Sequence, residues 1–298
     1  MDSHSKKILI TGINGFTGVY LSKYFEDNHF EVYGISNHAD FNEKNIFKCN
    51  LLNEDNLNLI IKKIQPNIVI HLAAISFVGH KNVNEIYETN VIGTKNLLEA
   101  IKNEGIKSIK KVIIASSATV YGNQIENELN ENLVPNPVNH YGISKLAMEF
   151  VVKMYFDILP IIITRPFNYT APKQNKNFVI PKITDAFNSK LEVLELGNTN
   201  VFREYNSIEF ICESYFLLSI SVHQSTIVNL CSGTTHSLDE IIKICKKITN
   251  HDIKININEN FVRKNEISKL SGSPSKLNQL VKLKSNNNII NTLQQFFK

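Results

Sequence analysis

Apolar positions in the first half of the chain fall in short unbroken runs separated by amphipathic stretches. Residues 7–10, 31–35, 68–72, 111–115 and 160–164 each read as a strand covered on both faces, the pattern of a parallel sheet, and 46–49 as a short extended piece. Helical periodicity marks 19–25, 53–64 (apolar at 57, 60, 61 and 64), 83–103 and 140–157; Pro66 stops the second of these and Gly105 closes the third. Strands alternating with helices at this rhythm predict an α/β fold, a Rossmann-type doubly wound parallel sheet. Beyond Pro166 the rhythm loosens into helices at 179–188, 208–221, 238–249, 275–281 and 288–297, with short strands near 193, 201, 227 and 254. These read as a smaller mixed lobe over the C-terminal edge of the sheet, where ligands sit in such folds. The expected division is 1–165 for the nucleotide-binding domain, with 207–230 returning to it, and 166–206 plus 231–298 for the lobe.

Composition narrows the function classes. At 298 residues, 43% hydrophobic and 20% charged, the chain resembles an ordinary soluble globular protein with ample core. A net charge of +4 gives no reason to invoke nucleic acid, though it suits an anionic small ligand. No apolar run approaches membrane-spanning length, and residues 1–5 lack the apolar stretch of a signal peptide. Cys49, Cys212, Cys231 and Cys245 show no C-x-x-C spacing and lie in apolar runs, so reduced, buried thiols and a cytoplasmic location are expected, with no metal site.

The candidate chemistry begins at Thr11-Gly12-Ile13-Asn14-Gly15-Phe16-Thr17-Gly18, directly after the first strand. Glycines there let the backbone approach a diphosphate, and the following helix N-terminus supplies N–H groups and a positive dipole end. The G-x-x-G-x-x-G spacing is one residue wider at the front than the usual dinucleotide fingerprint. The bland alternative is a tight turn with close helix packing.

Tyr141 and Lys145, four apart on a helix, share one face. A lysine ammonium favours phenolate, so the Tyr141 pKa is expected below its reference of about 10, suited to proton exchange with an alcohol oxygen. Upstream, Ser116 and Ser117 follow a strand that ends at the sheet's C-terminal edge. One of these hydroxyls is expected to hydrogen-bond the same substrate oxygen and the other to form the turn.

Taken together, the Gly12 turn, His71-Leu72-Ala73-Ala74, Asn90-x-x-Gly93, Ser117 with Val120-Tyr121-Gly122, Tyr141/Lys145 and Arg165-Pro166-Phe167-Asn168 resemble the extended short-chain dehydrogenase/reductases that act on nucleotide sugars. The resemblance spans almost the whole chain. It implies a catalytic triad of Ser117, Tyr141 and Lys145, with Asn90 positioning the lysine through water. It further implies a cofactor path along Gly12, Gly15, Phe16, Thr17, Gly18, Leu72, Ala73 and Ala74, with Asn50 and Leu51 at the adenine. Residues 75–80, 139–142, 165–170 and 261–266 look most like GDP-4-keto-6-deoxy-mannose reductases. By that likeness Ser76, Asn168, Asn177, Lys182, Arg203, Arg263 and Glu266 would contact a GDP-linked sugar, and the helices at 83–103 and 140–157 would pair two copies into a homodimer.

Three departures refine the expectation. The Asp-Glu pair that drives 4,6-dehydration in relatives is replaced by Ala118 and Thr119, which offer neither acid nor base. The cysteine and histidine used by GDP-fucose synthase for epimerisation have Ala118 and Lys173 in their regions, so reduction without epimerisation is expected. The usual Arg-Asp-Phe-x-Asp-Val stretch reads Arg203-Glu204-Tyr205-Asn206-Ser207-Ile208, which puts the local loop geometry in question. At the end of the second strand no acid precedes Asp40, and Ser36, Asn37 and His38 can accept a 2′-phosphate, so NADP(H) is favoured with NAD(H) also open. The competing readings are a nucleotide-sugar 4-epimerase that retains NAD tightly, and a nucleotide-sensing protein that kept the fold without the activity.

Overall fold

The computed structural model describes residues 6–37, 44–76, 80–126, 128–262, 269–285 and 287–298. Its centre is a seven-stranded, all-parallel sheet. Strands β1 (Lys7–Thr11), β2 (Glu31–Ser36), β3 (Ile46–Lys48), β4 (Ile68–His71), β5 (Lys111–Ala115) and β6 (Ile161–Pro166) are joined by a seventh, Thr226–Leu230. The spatial order runs from Thr226–Leu230 through β6, β5, β4, β1 and β2 to β3, so the chain reverses direction of travel between β1 and β4.

Helices cover both faces, which is why the strands read as unbroken apolar runs. Leu9, Val69, Val112, Ile114, Ile161 and Ile163 pack on one side with α2 (Glu54–Ile64), the helical stretch 83–105 and the tyrosine helix His140–Lys153. Ile8, Ile10, Ile68, Ile70, Ile113 and Ile162 pack on the other, against α1 (Phe16–Asp27) and the helix Ile208–Ile220. Fully burying each such aliphatic side chain is worth about 1.5–3 kcal/mol, which makes this sheet the rigid element that the site is built on.

The stretch 83–105 is one helix in which α-helical Val83–Tyr87 and Gly93–Ala100 alternate with π-helical Glu88–Ile92 and Ile101–Gly105. In the first π segment the Asn90 carbonyl accepts the Thr94 hydroxyl at 2.7 Å. The tyrosine helix starts where the Asn139 side chain accepts the Gly142 N–H at 2.8 Å, and it ends at Lys153, four residues short of the expected 157. The apolar residues of these two helices divide between the parent core and the surface. Leu97, Leu98, Met148 and Val152 lie in the parent core and Val91 and Val151 pack against it, whereas Ile92 and Phe150 are exposed.

The lobe has its own core of Ile180, Ile183, Phe187, Leu194, Leu238, Ile241 and Leu293. Val193–Leu196 pairs with Lys254–Ile257, and Phe202–Arg203 sits between His236–Ser237 and Lys269–Leu270. Pairs of two residues are too short to show a hydropathy period, which is why most went unread in the sequence. The helix Ser275–Leu280 places Leu277 in the core of the main sheet rather than that of the lobe. No described helix is long and apolar enough to cross a membrane.

Candidate active site

The glycine turn is shaped by steric necessity. Gly12 has φ +71°, and a Cβ there would stand 2.9 Å from the Ala73 backbone. One on Gly18 would meet the Gly12 and Ile13 carbonyl oxygens at 2.4 Å. Gly15 begins α1, which has no side-chain cap, and donates its own N–H to Gly12 O at 2.9 Å. The result is a side-chain-free cradle at a helix N-terminus, which fits a diphosphate. Phe16 stacks on Tyr169 with ring centroids 6.0 Å apart, and the Thr17 hydroxyl meets the Tyr169 hydroxyl at 2.6 Å. Tyr169 thus ties the turn to the segment that carries Asn168, a contact that the sequence reading missed.

Below the turn, a buried chain of hydrogen bonds sets the spacing of three elements. His71 Nδ1 meets the Thr11 hydroxyl at 2.7 Å and Nε2 meets the Thr94 hydroxyl at 2.8 Å. The Ala73 N–H donates to the same Thr11 oxygen at 3.3 Å. Burial pushes the His71 pKa down to about 3, with Lys145 adding to the shift, so this imidazole stays neutral. Leu72, Ala73 and Ala74 are half-buried along the strand end next to the turn. Ser36 is buried at the end of β2 and Asn37 exposed beside it; His38 and Asp40 lie outside the described residues. Asn50 is exposed, its Oδ1 accepting the Leu52 N–H at 3.0 Å, and Leu51 is buried against Gly93.

Ser117, Tyr141 and Lys145 converge at the C-terminal end of β5. Lys145 is buried and donates from Nζ to the Ala115 carbonyl at 2.8 Å. Ser117 stands near enough to Tyr141 to act on its titration, and it accepts the Thr119 N–H at 3.2 Å and the Thr119 hydroxyl at 2.9 Å. Ser116 is the structural serine, donating to Glu149 Oε1 at 2.6 Å. Asn90 is fully buried; its amide donates to Ser144 Oγ at 3.0 Å and to Ile75 O at 3.1 Å, and accepts the Ile75 N–H at 2.9 Å. Ser144 in turn donates to the Tyr141 carbonyl at 2.8 Å, so Asn90 braces the tyrosine helix directly.

The expected acidification of Tyr141 is corrected by its surroundings. Burial pushes the phenol up to about 12, opposed by nearby Ser117. Burial likewise pulls Lys145 down to about 8, and Glu149 acts against it. Sequence spacing shows which groups are neighbours but not how much water they lose; burial dominates at Tyr141, and at Lys145 it outweighs the Glu149 charge.

The anticipated substrate residues are spread along the lobe. Ser76 and Asn177 are exposed. Asn168 is exposed after β6, with its carbonyl accepting the Asn206 N–H at 2.9 Å. Lys182 donates to the Glu195 carbonyl at 2.7 Å and lies 4.2 Å from the Phe261 ring centre, so the lobe itself holds it. Arg203 donates from Nη1 to the Phe202 carbonyl at 2.8 Å. Arg263 and Glu266 lie outside the described residues.

The altered stretch after Arg203 keeps an ordered loop. Buried Glu204 gathers the Gly272 N–H at 2.7 Å, the Ser232 N–H at 2.8 Å and Asn206 Nδ2 at 3.0 Å. Ser207, where relatives carry an acid, caps the next helix by accepting the Phe210 N–H at 3.1 Å. Serine and aspartate are about equally good N-caps, so the exchange leaves the loop intact. Among the described residues no cluster of His, Cys, Asp and Glu is able to hold a metal.

Known proteins resemble this chain along nearly its whole length. The family model for GDP-mannose 4,6 dehydratase matches residues 9–295. A GDP-6-deoxy-D-talose 4-dehydrogenase of Aggregatibacter actinomycetemcomitans is 36% identical over 91% of this chain and 90% of its own length. A GDP-6-deoxy-D-mannose reductase of Pseudomonas aeruginosa is 27% identical over 92% of this chain and 90% of its own. A solved structure from Pseudomonas aeruginosa, described as RMD complexed with NADPH, superposes with a TM-score of 0.86 at 26% identity, covering 98% of this chain and 96% of that one. The chain therefore belongs to the GDP-mannose 4,6 dehydratase family, among the short-chain dehydrogenase/reductase enzymes that act on nucleotide sugars.

Proposed function

We propose that this enzyme reduces the 4-keto group of a GDP-linked 4-keto-6-deoxy sugar of manno type, leaving carbons 3 and 5 untouched. The observation that carries the reading is the meeting of Ser117, Tyr141 and buried Lys145 at the end of β5, with Ala118 and Thr119 beside them in place of an acid pair. The glycine cradle fits a dinucleotide diphosphate, held by the N–H groups of Phe16, Thr17 and Gly18, with Ala73 and Ala74 alongside. When bound, a nicotinamide cofactor supplies the hydride for carbon 4; the buried Ser36 and the want of an acid at Asn37 favour NADP(H), with NAD(H) also open.

The protein's part is to handle the proton. With a pKa near 12 the Tyr141 phenol is neutral at pH 7, the form that donates to an oxygen gaining charge. Ser117 donates to that same oxygen, and protonated Lys145 behind it stabilises the negative charge that Tyr141 acquires. In the lobe, Asn168, Asn177, Arg203, Arg263 and Glu266 are assigned to the nucleotide and diphosphate, with Ser76 near the sugar; Lys182 acts through its lobe contacts. Residues 207–230 are assigned to the nucleotide-binding half, because their helix packs on α1 and their strand on β6. A homodimer is assigned to the face that exposes Ile92, Ile143, Phe150 and Met154, which sedimentation at micromolar concentration tests.

Mannose and talose differ only at carbon 4, so the two named relatives correspond to hydride delivery on opposite faces of one ketone. The higher identity to the talose enzyme, 36% against 27%, favours a 6-deoxy-talo product. The test is to mix purified protein with GDP-4-keto-6-deoxy-mannose and NADPH in deuterated water, then read the product by proton NMR. Loss of NADPH absorbance with no deuterium at carbons 3 and 5 is expected, and the coupling at carbon 4 identifies the epimer. Deuterium at those carbons at the rate of turnover would point to a combined epimerase-reductase using His80. Stoichiometric NAD retained through purification would instead mark the 4-epimerase.

A further inference from the structure

Thr119 occupies one of the two positions where dehydrating relatives carry acids, and its side chain is engaged with the site. A serine hydroxyl has one hydrogen to donate and two acceptor positions. On Ser117 both acceptor positions are taken by the same neighbour, the Thr119 N–H at 3.2 Å and the Thr119 hydroxyl at 2.9 Å. The Ser117 hydrogen is left for another partner, and Tyr141 is near enough for Ser117 to lower its pKa against burial.

We propose that Thr119 is a positioning residue that fixes Ser117 as a donor toward the oxygen shared by Tyr141 and the substrate ketone. The inference rests on the ketoreductase reading above and deepens it. A serine free to rotate would accept the phenol hydrogen of Tyr141, turning the transferable proton away from the ketone. With its acceptor positions filled, Ser117 cannot do so. The Tyr141 hydrogen stays available, and two donors converge on the oxygen as it gains charge. The backbone N–H contact survives any non-proline substitution, so the specific contribution is the Thr119 hydroxyl. The same position therefore withholds the acid that dehydration needs and supplies the hydroxyl that simple reduction uses.

Thr119→Val removes that hydroxyl at nearly constant shape, and Thr119→Ala is the second variant should valine perturb folding. Either is expected to lower kcat about tenfold, the effect of losing one neutral hydrogen bond, with KM for both reactants little changed. Thr119→Ser should restore kcat to within about twofold of wild type. In a Ser117→Ala background Thr119→Val should change kcat less than about twofold, because the group it orients is gone. A second readout needs no substrate. In ring-labelled protein, the Tyr141 C–O stretch, isolated by subtracting a Tyr141→Phe spectrum, should report a phenol that accepts in wild type and donates in Thr119→Val. An unchanged band overturns the inference, as does an equal kcat loss in the Ser117→Ala background. Failure of the wild type to reduce any 4-keto GDP sugar would sink the proposed function alone, since the infrared comparison still decides the role of Thr119.

Discussion

Glu149 offers a test of how the site's buried charges are balanced. It lies four residues after Lys145 on the tyrosine helix, fully buried. It accepts Ser116 Oγ at 2.6 Å, Arg165 Nε at 2.9 Å and Arg165 Nη2 at 2.6 Å, while the Arg165 guanidinium sits 4.8 Å from the Tyr121 ring centre. Glu149→Gln keeps the shape and removes the charge, leaving Arg165 and Lys145 as buried cations without it. Breaking one side of a buried pair costs about 3–5 kcal/mol. At roughly 2 °C per kcal/mol for a chain of this length, the melting temperature should fall about 6–10 °C by calorimetry. A second effect follows from sign. Glu149 holds the Lys145 pKa up against burial, so its loss should take that pKa below its present value of about 8. Activity that needs charged Lys145 is lost as pH rises through that value, so the alkaline limb of the kcat profile should move to lower pH. Replacing both partners by apolar residues (Glu149→Leu with Arg165→Met) should recover most of the stability, because Arg165 is then no longer a stranded charge and Lys145 can relieve its own by losing a proton. A loss of under about 2 °C for Glu149→Gln, or a double variant as unstable as the single, would refute the reasoning.

Tyr141→Phe should leave folding and cofactor affinity nearly intact and cut turnover about a hundred- to ten-thousand-fold in an NADPH absorbance assay. Gly18→Ala would press a methyl within 2.4 Å of two backbone carbonyl oxygens, so cofactor fluorescence titration should show lost binding together with a destabilisation of about 1–3 kcal/mol. His71, held near pKa 3 against 6.5 when unfolded, makes the unfolded chain the one that takes up a proton as pH falls. Stability should drop through that window at about 1.4 kcal/mol per pH unit, about 2 kcal/mol by pH 5. Urea melts of wild type and His71→Gln at pH 7 and pH 5 should differ by that slope.

What the sequence made legible follows from what burial imposes on it. The strands of the main sheet were readable because both faces are covered, and Gly12 and Gly18 because no other residue fits. The pKa of Tyr141 was not, since Lys145 is visible in the spacing but the lost water is not. Nor were Tyr169, Glu204 and Thr119. Each acts through a contact that depends on how separate segments or a tight turn fold; the sequence marks Thr119 and Glu204 only as departures from the relatives' pattern and shows none of these contacts. Ser207 shows the reverse: an apparent motif defect that cap chemistry renders harmless.

The return of Ile208–Ile220 and Thr226–Leu230 to the main sheet bears on how the enzyme can be taken apart. A fragment cut after Pro166 would present β6 as an unpaired edge, a template for strand addition by another chain. It would also strip Leu21 and Phe25 on α1 of the cover given by Ile211, Tyr215 and Leu218. Exchange of lobes between relatives to change the sugar accepted therefore has no single junction to use. A working graft must carry 166–206, 231–270 and 288–298 as three separate pieces, because Ile289 and Leu293 complete the lobe's core, with 207–230 and the helix Ser275–Leu280 left in place.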